Sequence, residues 1–160
     1  MSRSYLVVLG DRRAIGWVLR EQLMAFPTRP RTEVRTLAAG DRLYLYATRG
    51  AWGNPKRDRG RVIAYATAQS SVRGLDRPIE IAGRSFHSAC DLQVSGVVPY
   101  PGGVELQPLA HLMAAFPKPE AWSVYLRRPL VNLSERDVAI LDKELGPLLS
   151  GHADAISTYP

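Results

Sequence analysis

The stretch from Asp41 to Thr67, DRLYLYATRGAWGNPKRDRGRVIAYAT, constrains the fold of this chain more than any other. It reads as two strands, Arg42 to Thr48 and Arg61 to Thr67, joined by a loop. In the first strand Leu43, Leu45 and Ala47 alternate with Tyr44, Tyr46 and Thr48. Successive strand side chains point to opposite faces, so one face is aliphatic and the other aromatic. Such a strand has to be covered on both sides. Its loop is longer than the roughly two to five residues that close most hairpins. It carries Arg49, Trp52, Asn54, Lys56, Arg57, Arg59 and Arg61 against a single acid, Asp58. Guanidinium groups grip phosphate oxygens in pairs, and an indole stacks on a base. The loop therefore has the chemistry to hold a base and its phosphates.

The flanking sequence supplies the other layers. Tyr5 to Leu9 is a buried strand ended by Gly10-Asp11, and Asp11 can cap the helix that follows. That helix is expected over Arg13 to Phe26, with Ile15, Val18, Leu19, Leu23 and Phe26 on one stripe. At about 100° per residue Trp17 falls on the opposite side, with Arg13, Arg20 and Met24. Pro27 and Pro30 make an irregular connection, and Ser70 to Ile81 is polar and turn-rich. His87 to Val98 is a fourth strand with Cys90, Leu92 and Val94 on one face. Leu109, Leu112, Met113 and Phe116 mark a short helix, ended by Pro117 and Pro119. Trp122 to Arg128 alternates as a fifth strand, which makes Trp122 a core residue outside any site. Ser134 and Asp137 form a capping box for a last helix carrying Val138, Leu141 and Leu145. From Ser150 the chain is small and polar, a loose tail. Strands that follow one another without helices pair antiparallel. The fold class is α+β: a small, mixed, mainly antiparallel barrel-like sheet with helices packed at its ends.

A chain of 160 residues builds one domain with a real core, and 46% apolar with 22% charged residues is ordinary for a globular protein. No apolar run approaches the ~20 residues that span a bilayer, and Tyr5–Leu9 is too short for a signal sequence. A cytoplasmic protein is expected, and the lone Cys90 agrees with a reducing compartment. Net charge is 21 − 15 = +6, which favours an anionic partner, although arginine-rich proteomes also raise it. His87, His111 and His152 follow no metal spacing, and no GxSxG, P-loop or GxGxxG is present. Neither metal nor cofactor is expected. His87 and Asp91 share a strand face and could form an acid–base pair, but a structural hydrogen bond explains them as well.

The order of these elements, with LAAGDRLYLYAT, RGRVIAYATA and RRPLVNLSERDVAIL as its specific parts, resembles an EVE domain of the PUA-like superfamily. That group also holds YTH and ASCH domains. The resemblance covers roughly residues 3–145 and implies one PUA-like barrel domain over 3–149, followed by a flexible tail over 150–160. It implies a reader of modified nucleobases in DNA or RNA. The base pocket would come from Trp17, Thr48, Arg49, Gly50 and Trp52. The phosphate contacts would come from Arg13, Asn54, Lys56, Arg57, Arg59, Arg127 and Arg128. The residues leave other readings open. Trp52 could anchor the loop over the barrel end, and Trp17 could form a second hydrophobic layer. An ASCH-like hydrolase would draw on Lys56, Asp58, His87 and Asp91, and a protein-docking face on Trp17, Arg20 and Met24.

Overall fold

A computed structural model describes residues 2–26 and 32–160; the connection expected around Pro27 and Pro30 lies outside them. The chain runs β1 (Ser4–Leu9), α1 (Arg12–Glu21), β2 (Leu23–Phe26), α2 (Thr32–Arg35), β3 (Arg42–Ala47), β4 (Arg61–Ala68), β5 (Arg73–Ile81), β6 (Arg84–Val97) and β7 (Val104–Glu105). Two 3-10 helices follow, Gln107–Leu112 and Pro119–Arg127, then β8 (Leu130–Leu133), α3 (Glu135–Leu145), a 3-10 turn and α4 (His152–Ile156). One sheet orders its strands β2-β6-β4-β3-β1-β8, with β5 on β6 and β7 on β4. Only the β1–β3 pair is parallel among the described strands. The result is a curled, mainly antiparallel half-barrel. Register shifts at Leu45/Tyr46 and at Tyr65/Ala66 help to bend it.

Alternation along the central strands divides the interior into two cores. Tyr5, Val7, Leu43, Leu45 and Ala47 pack with Ile15, Val18 and Leu19 of α1. Leu6, Tyr44 and Tyr46 pack on the opposite side with Leu106, Phe116, Val138 and Leu141. Both faces of β3 are thus covered, as its two-sided composition requires.

The structure departs from the sequence reading at four places. The first helix stops at Gln22, whose backbone is left-handed (φ 53°), and Leu23–Phe26 leaves as a strand on β6. The Gln22 side chain accepts from the Val94 N–H at 2.9 Å, which fixes that exit. Polar Arg73–Ile81 is a strand paired along one side of β6. Pro119–Arg127 is a 3-10 helix rather than a strand, because Trp122, Tyr125 and Leu126 face the core at helical spacing while Val124 is 50% exposed. The segment 150–160 packs onto the barrel instead of hanging loose. Ser150 pairs with Val97, Ala155 is fully buried, and the Tyr159 hydroxyl donates to the Val98 carbonyl at 2.6 Å. The capping box stands: Ser134 Oγ accepts from the Asp137 N–H at 3.1 Å, and Asp137 accepts from the Ser134 N–H at 3.2 Å.

Candidate functional site

The loop between β3 and β4 is a built structure. Thr48 donates its N–H to Leu9, Ala51 to Thr48 and Gly53 to Gly50. The Asn54 side chain accepts from the Arg57 N–H at 3.1 Å, closing the next turn. Asp58, only 6% exposed, then organises the cations. Arg57 donates to both of its carboxylate oxygens at 2.9 and 3.0 Å, and Arg61 lies 3.6 Å away. The Arg57 guanidinium, more than the Arg61 charge, holds the Asp58 carboxyl below its ordinary range. Two of the five loop cations are therefore bound to the loop's one acid. The other three, Arg49, Lys56 and Arg59, line a cavity of about 770 Å³ and make no ion pair among the described residues.

The 3-10 helix Pro119–Arg127 adds Trp122, Ser123 and Leu126 to the lining. Trp122 meets the buried Phe116 ring edge-on, at 6.1 Å and 90°. Phe116 thereby braces an indole that also lines the cavity. Tyr46, Thr48 and Gly60 contribute from the strand ends, and no described lining residue is acidic. Tyr46 is 2% exposed, yet its hydroxyl has no hydrogen-bond partner among the described residues. Burial pushes its pKa up to about 12, with Arg49 pulling the other way, so it stays a neutral phenol with a proton to donate. Gly60 makes room for it: a Cβ there would sit 1.7 Å from the Tyr46 hydroxyl.

Of the residues expected at a base pocket, Thr48 and Arg49 line this cavity. Trp52 turns away and packs with Tyr100 (5.3 Å between centroids) and Tyr159 (6.4 Å). Trp17 is half-buried against the α1 side of the sheet, and Gly50 lies exposed in the loop. Of the expected phosphate ligands, Lys56 and Arg59 are at the cavity, Arg57 is held by Asp58, and Arg13 pairs with Asp11 at 3.1 Å. Arg127 and Arg128 line a separate cavity. The acids considered for catalysis are engaged: Asp58 as above, and Asp91 by Arg73 at 3.0 Å. Among the described residues no group of three or more His, Cys, Asp or Glu could hold a metal, and no helix is long and apolar enough to cross a membrane. Sequence reasoning missed Trp122. The signal was the spacing Trp122, Tyr125, Leu126, which is helical and follows two prolines.

No protein-family model matches the chain, and no curated protein matches it. Solved structures do. Human THYN1, in complex with DNA containing 5-methylcytosine, matches over 89% of this chain and 98% of its own, at 11% identity and a TM-score of 0.56. A YTH domain from Zygosaccharomyces rouxii MRB1, in complex with N6-methyladenosine RNA, matches over 88% and 83%, at 17% identity and a TM-score of 0.50. A Pseudomonas syringae protein matches over 89% and 99%, at 14% identity and a TM-score of 0.57. The chain has an EVE- and YTH-related PUA-like fold.

Proposed function

We propose that this protein binds nucleic acid and holds one modified or flipped nucleobase in the cavity between Trp122 and the β3–β4 loop. One observation carries the reading: Trp122 and three cations that have no ion pair among the described residues line one cavity without a described carboxylate. Its volume of about 770 Å³ is in the range of small-molecule sites, ~300–1,000 Å³. The base stacks on Trp122, and the Tyr46 hydroxyl donates to its polar edge. Arg49, Lys56 and Arg59 take the flanking phosphates, where each neutralised phosphate releases counterions. Two structural neighbours were solved with methylated nucleic acid, which supports the same ligand class for this chain.

The test is an anisotropy titration with oligonucleotides bearing 5-methylcytosine, N6-methyladenine or no modification, in DNA and in RNA, at two salt concentrations. A preferred modification and an affinity that falls with salt are expected. Equal binding of all of them, without a salt slope, overturns the reading. Trp122→Ala should weaken the preferred ligand by ~1–3 kcal/mol, the worth of one stacked base, and the unmodified strand by less.

A further inference from the structure

The cavity at the β3–β4 loop has more room and more charge than one base of a strand requires. Its volume of about 770 Å³ is that of a site for a whole small molecule, and a flipped base fills only part of it. Arg49, Lys56 and Arg59 all stand on one loop, and that loop is locked where the last two leave it. The Asn54 carbonyl accepts from the Asp58 N–H at 2.9 Å and from the Arg57 N–H at 3.2 Å, and the Asn54 side chain accepts from the same Arg57 N–H at 3.1 Å. Lys56 lies inside this turn and Arg59 follows it. The Arg59 guanidinium donates to the Asp58 carbonyl at 3.3 Å, which orients the group and leaves its charge without an ion pair among the described residues. The buried Tyr46 hydroxyl, also without a partner among the described residues, lines the same cavity. Cations set in place before a ligand arrives lose less entropy in holding it.

A strand spaces its phosphates along the chain, each with a single charge. The triphosphate of a free nucleotide instead gathers several charges in one group, beside its own base. We infer that this cavity also takes a free nucleoside 5′-triphosphate, which competes there with the strand. The base stacks on Trp122 and accepts from the Tyr46 hydroxyl. The triphosphate lies along Arg49, Lys56 and Arg59, in charge-assisted hydrogen bonds. A magnesium ion on nucleotide phosphates is usually held by one or two protein carboxylates, and no described lining residue is one. The loop cations therefore neutralise the triphosphate themselves, and the ligand is the metal-free nucleotide. The competition rests on the base pocket proposed above; the binding of the nucleotide does not. Together they make strand binding sensitive to the level of free nucleotide.

The test is calorimetric titration of the full chain in EDTA with the common ribonucleoside 5′-triphosphates, their monophosphates and inorganic tripolyphosphate. At least one triphosphate should bind about tenfold or more tightly than its monophosphate, the worth of one charge-assisted hydrogen bond. It should also bind about fivefold or more tightly than tripolyphosphate, from one stacked base. Added magnesium should weaken it, because the ion neutralises the phosphates that the loop cations hold. Lys56→Ala/Arg59→Ala, at two exposed positions, should weaken the triphosphate about tenfold and the monophosphate less. Trp122→Ala should lower the nucleotide to the affinity of tripolyphosphate and leave tripolyphosphate unchanged. Arg127→Ala/Arg128→Ala, beside a separate cavity, should leave both unchanged. The triphosphate should displace the preferred labelled oligonucleotide. Tripolyphosphate that binds as tightly as every nucleotide overturns the nucleotide site. So does binding that requires magnesium, binding lost in Arg127→Ala/Arg128→Ala, or failure of every triphosphate to bind. Triphosphate binding that leaves a bound oligonucleotide in place overturns the competition. Triphosphate binding in a chain that takes no oligonucleotide overturns the strand reading and leaves the nucleotide site standing.

Discussion

Tyr44 and Tyr46 sit two residues apart on one face of β3, and their hydroxyls meet different surroundings. Tyr44 donates to Asp142 Oδ1 at 2.5 Å, whereas Tyr46 reaches the cavity without a partner among the described residues. A buried hydroxyl without a partner lowers stability, and a ligand that accepts from it recovers the lost bond. Tyr46→Phe should therefore leave urea stability unchanged or raise it, while weakening the preferred oligonucleotide about 2- to 12-fold, the worth of one hydrogen bond of ~0.5–1.5 kcal/mol. A loss of stability with unchanged affinity would assign the hydroxyl a purely structural part. The same burial sets an alkaline limit. Tyr46 is pushed from 10.0 to about 12, and burial with the nearby Asp91 charge pushes the Cys90 thiol from 9.0 to about 12. Both groups stay protonated in the folded chain after the unfolded chain has lost its protons. Their stabilising effect is full below about pH 9 and falls as pH rises toward 12, with a slope near 1.4 kcal/mol per pH unit for each group. Urea melts from pH 8 to 11 should show that decline, shallower in Tyr46→Phe.

At the scale of elements, Asp137 links the last helix to the cavity. It is fully buried and accepts three backbone N–H groups: Ala114 at 2.7 Å, Ala115 at 3.1 Å and Ser134 at 3.2 Å. The first two hold the turn that delivers Phe116 against Trp122. Ser134→Ala should cost ~1 kcal/mol, the worth of an ordinary N-cap. Asp137→Ala should cost more, since it leaves three backbone N–H groups without their acceptor at once. It should also weaken oligonucleotide binding, which Ser134→Ala should not. Equal effects of the two on stability would confine Asp137 to capping. The capping box was legible in the sequence because its signal is local: one Ser, and an acid three residues on. The end of α1 was not, because Leu23 and Phe26 continue the helical stripe equally well. Only the Gln22 backbone and the pairing of Leu23–Phe26 with β6 decide against it. The segment Trp122–Arg128 failed for the converse reason. Trp122, Val124 and Leu126 fit alternation while Trp122, Tyr125 and Leu126 fit a helix, and partners far away in sequence settled the choice.

At the scale of the whole molecule, the two-sided β3 was enough to foresee a sheet covered on both faces. It could not say which cations face a ligand. That division depends on Asp58, which pairs with Arg57 and Arg61 and leaves Arg49, Lys56 and Arg59 without an ion pair at the cavity among the described residues. Nor could it say what covers the outer side of the loop. The C-terminal segment does so. Tyr159 packs at a tilt on Trp52 and edge-on to Tyr100, the Tyr100 N–H donates to Thr158 Oγ1 at 2.8 Å, and His152 Nε2 lies 2.5 Å from the Leu19 carbonyl. Residues 150–160 thus clamp the loop, α1 and the end of β6 together. Each aromatic pair is worth ~0.5–1.5 kcal/mol and each hydrogen bond ~1 kcal/mol, so deleting residues 150–160 should cost about 3 kcal/mol or more. Tyr159→Phe, which loses only the bond to Val98, should cost ~1 kcal/mol. Thermal unfolding and tryptophan emission measure both. The truncated chain should melt earlier, with red-shifted emission as Trp52 gains water. Its affinity should also fall, because Arg49, Lys56 and Arg59 are carried by the loop that the segment steadies. A truncation that left melting and emission unchanged would return residues 150–160 to the loose tail their composition suggests.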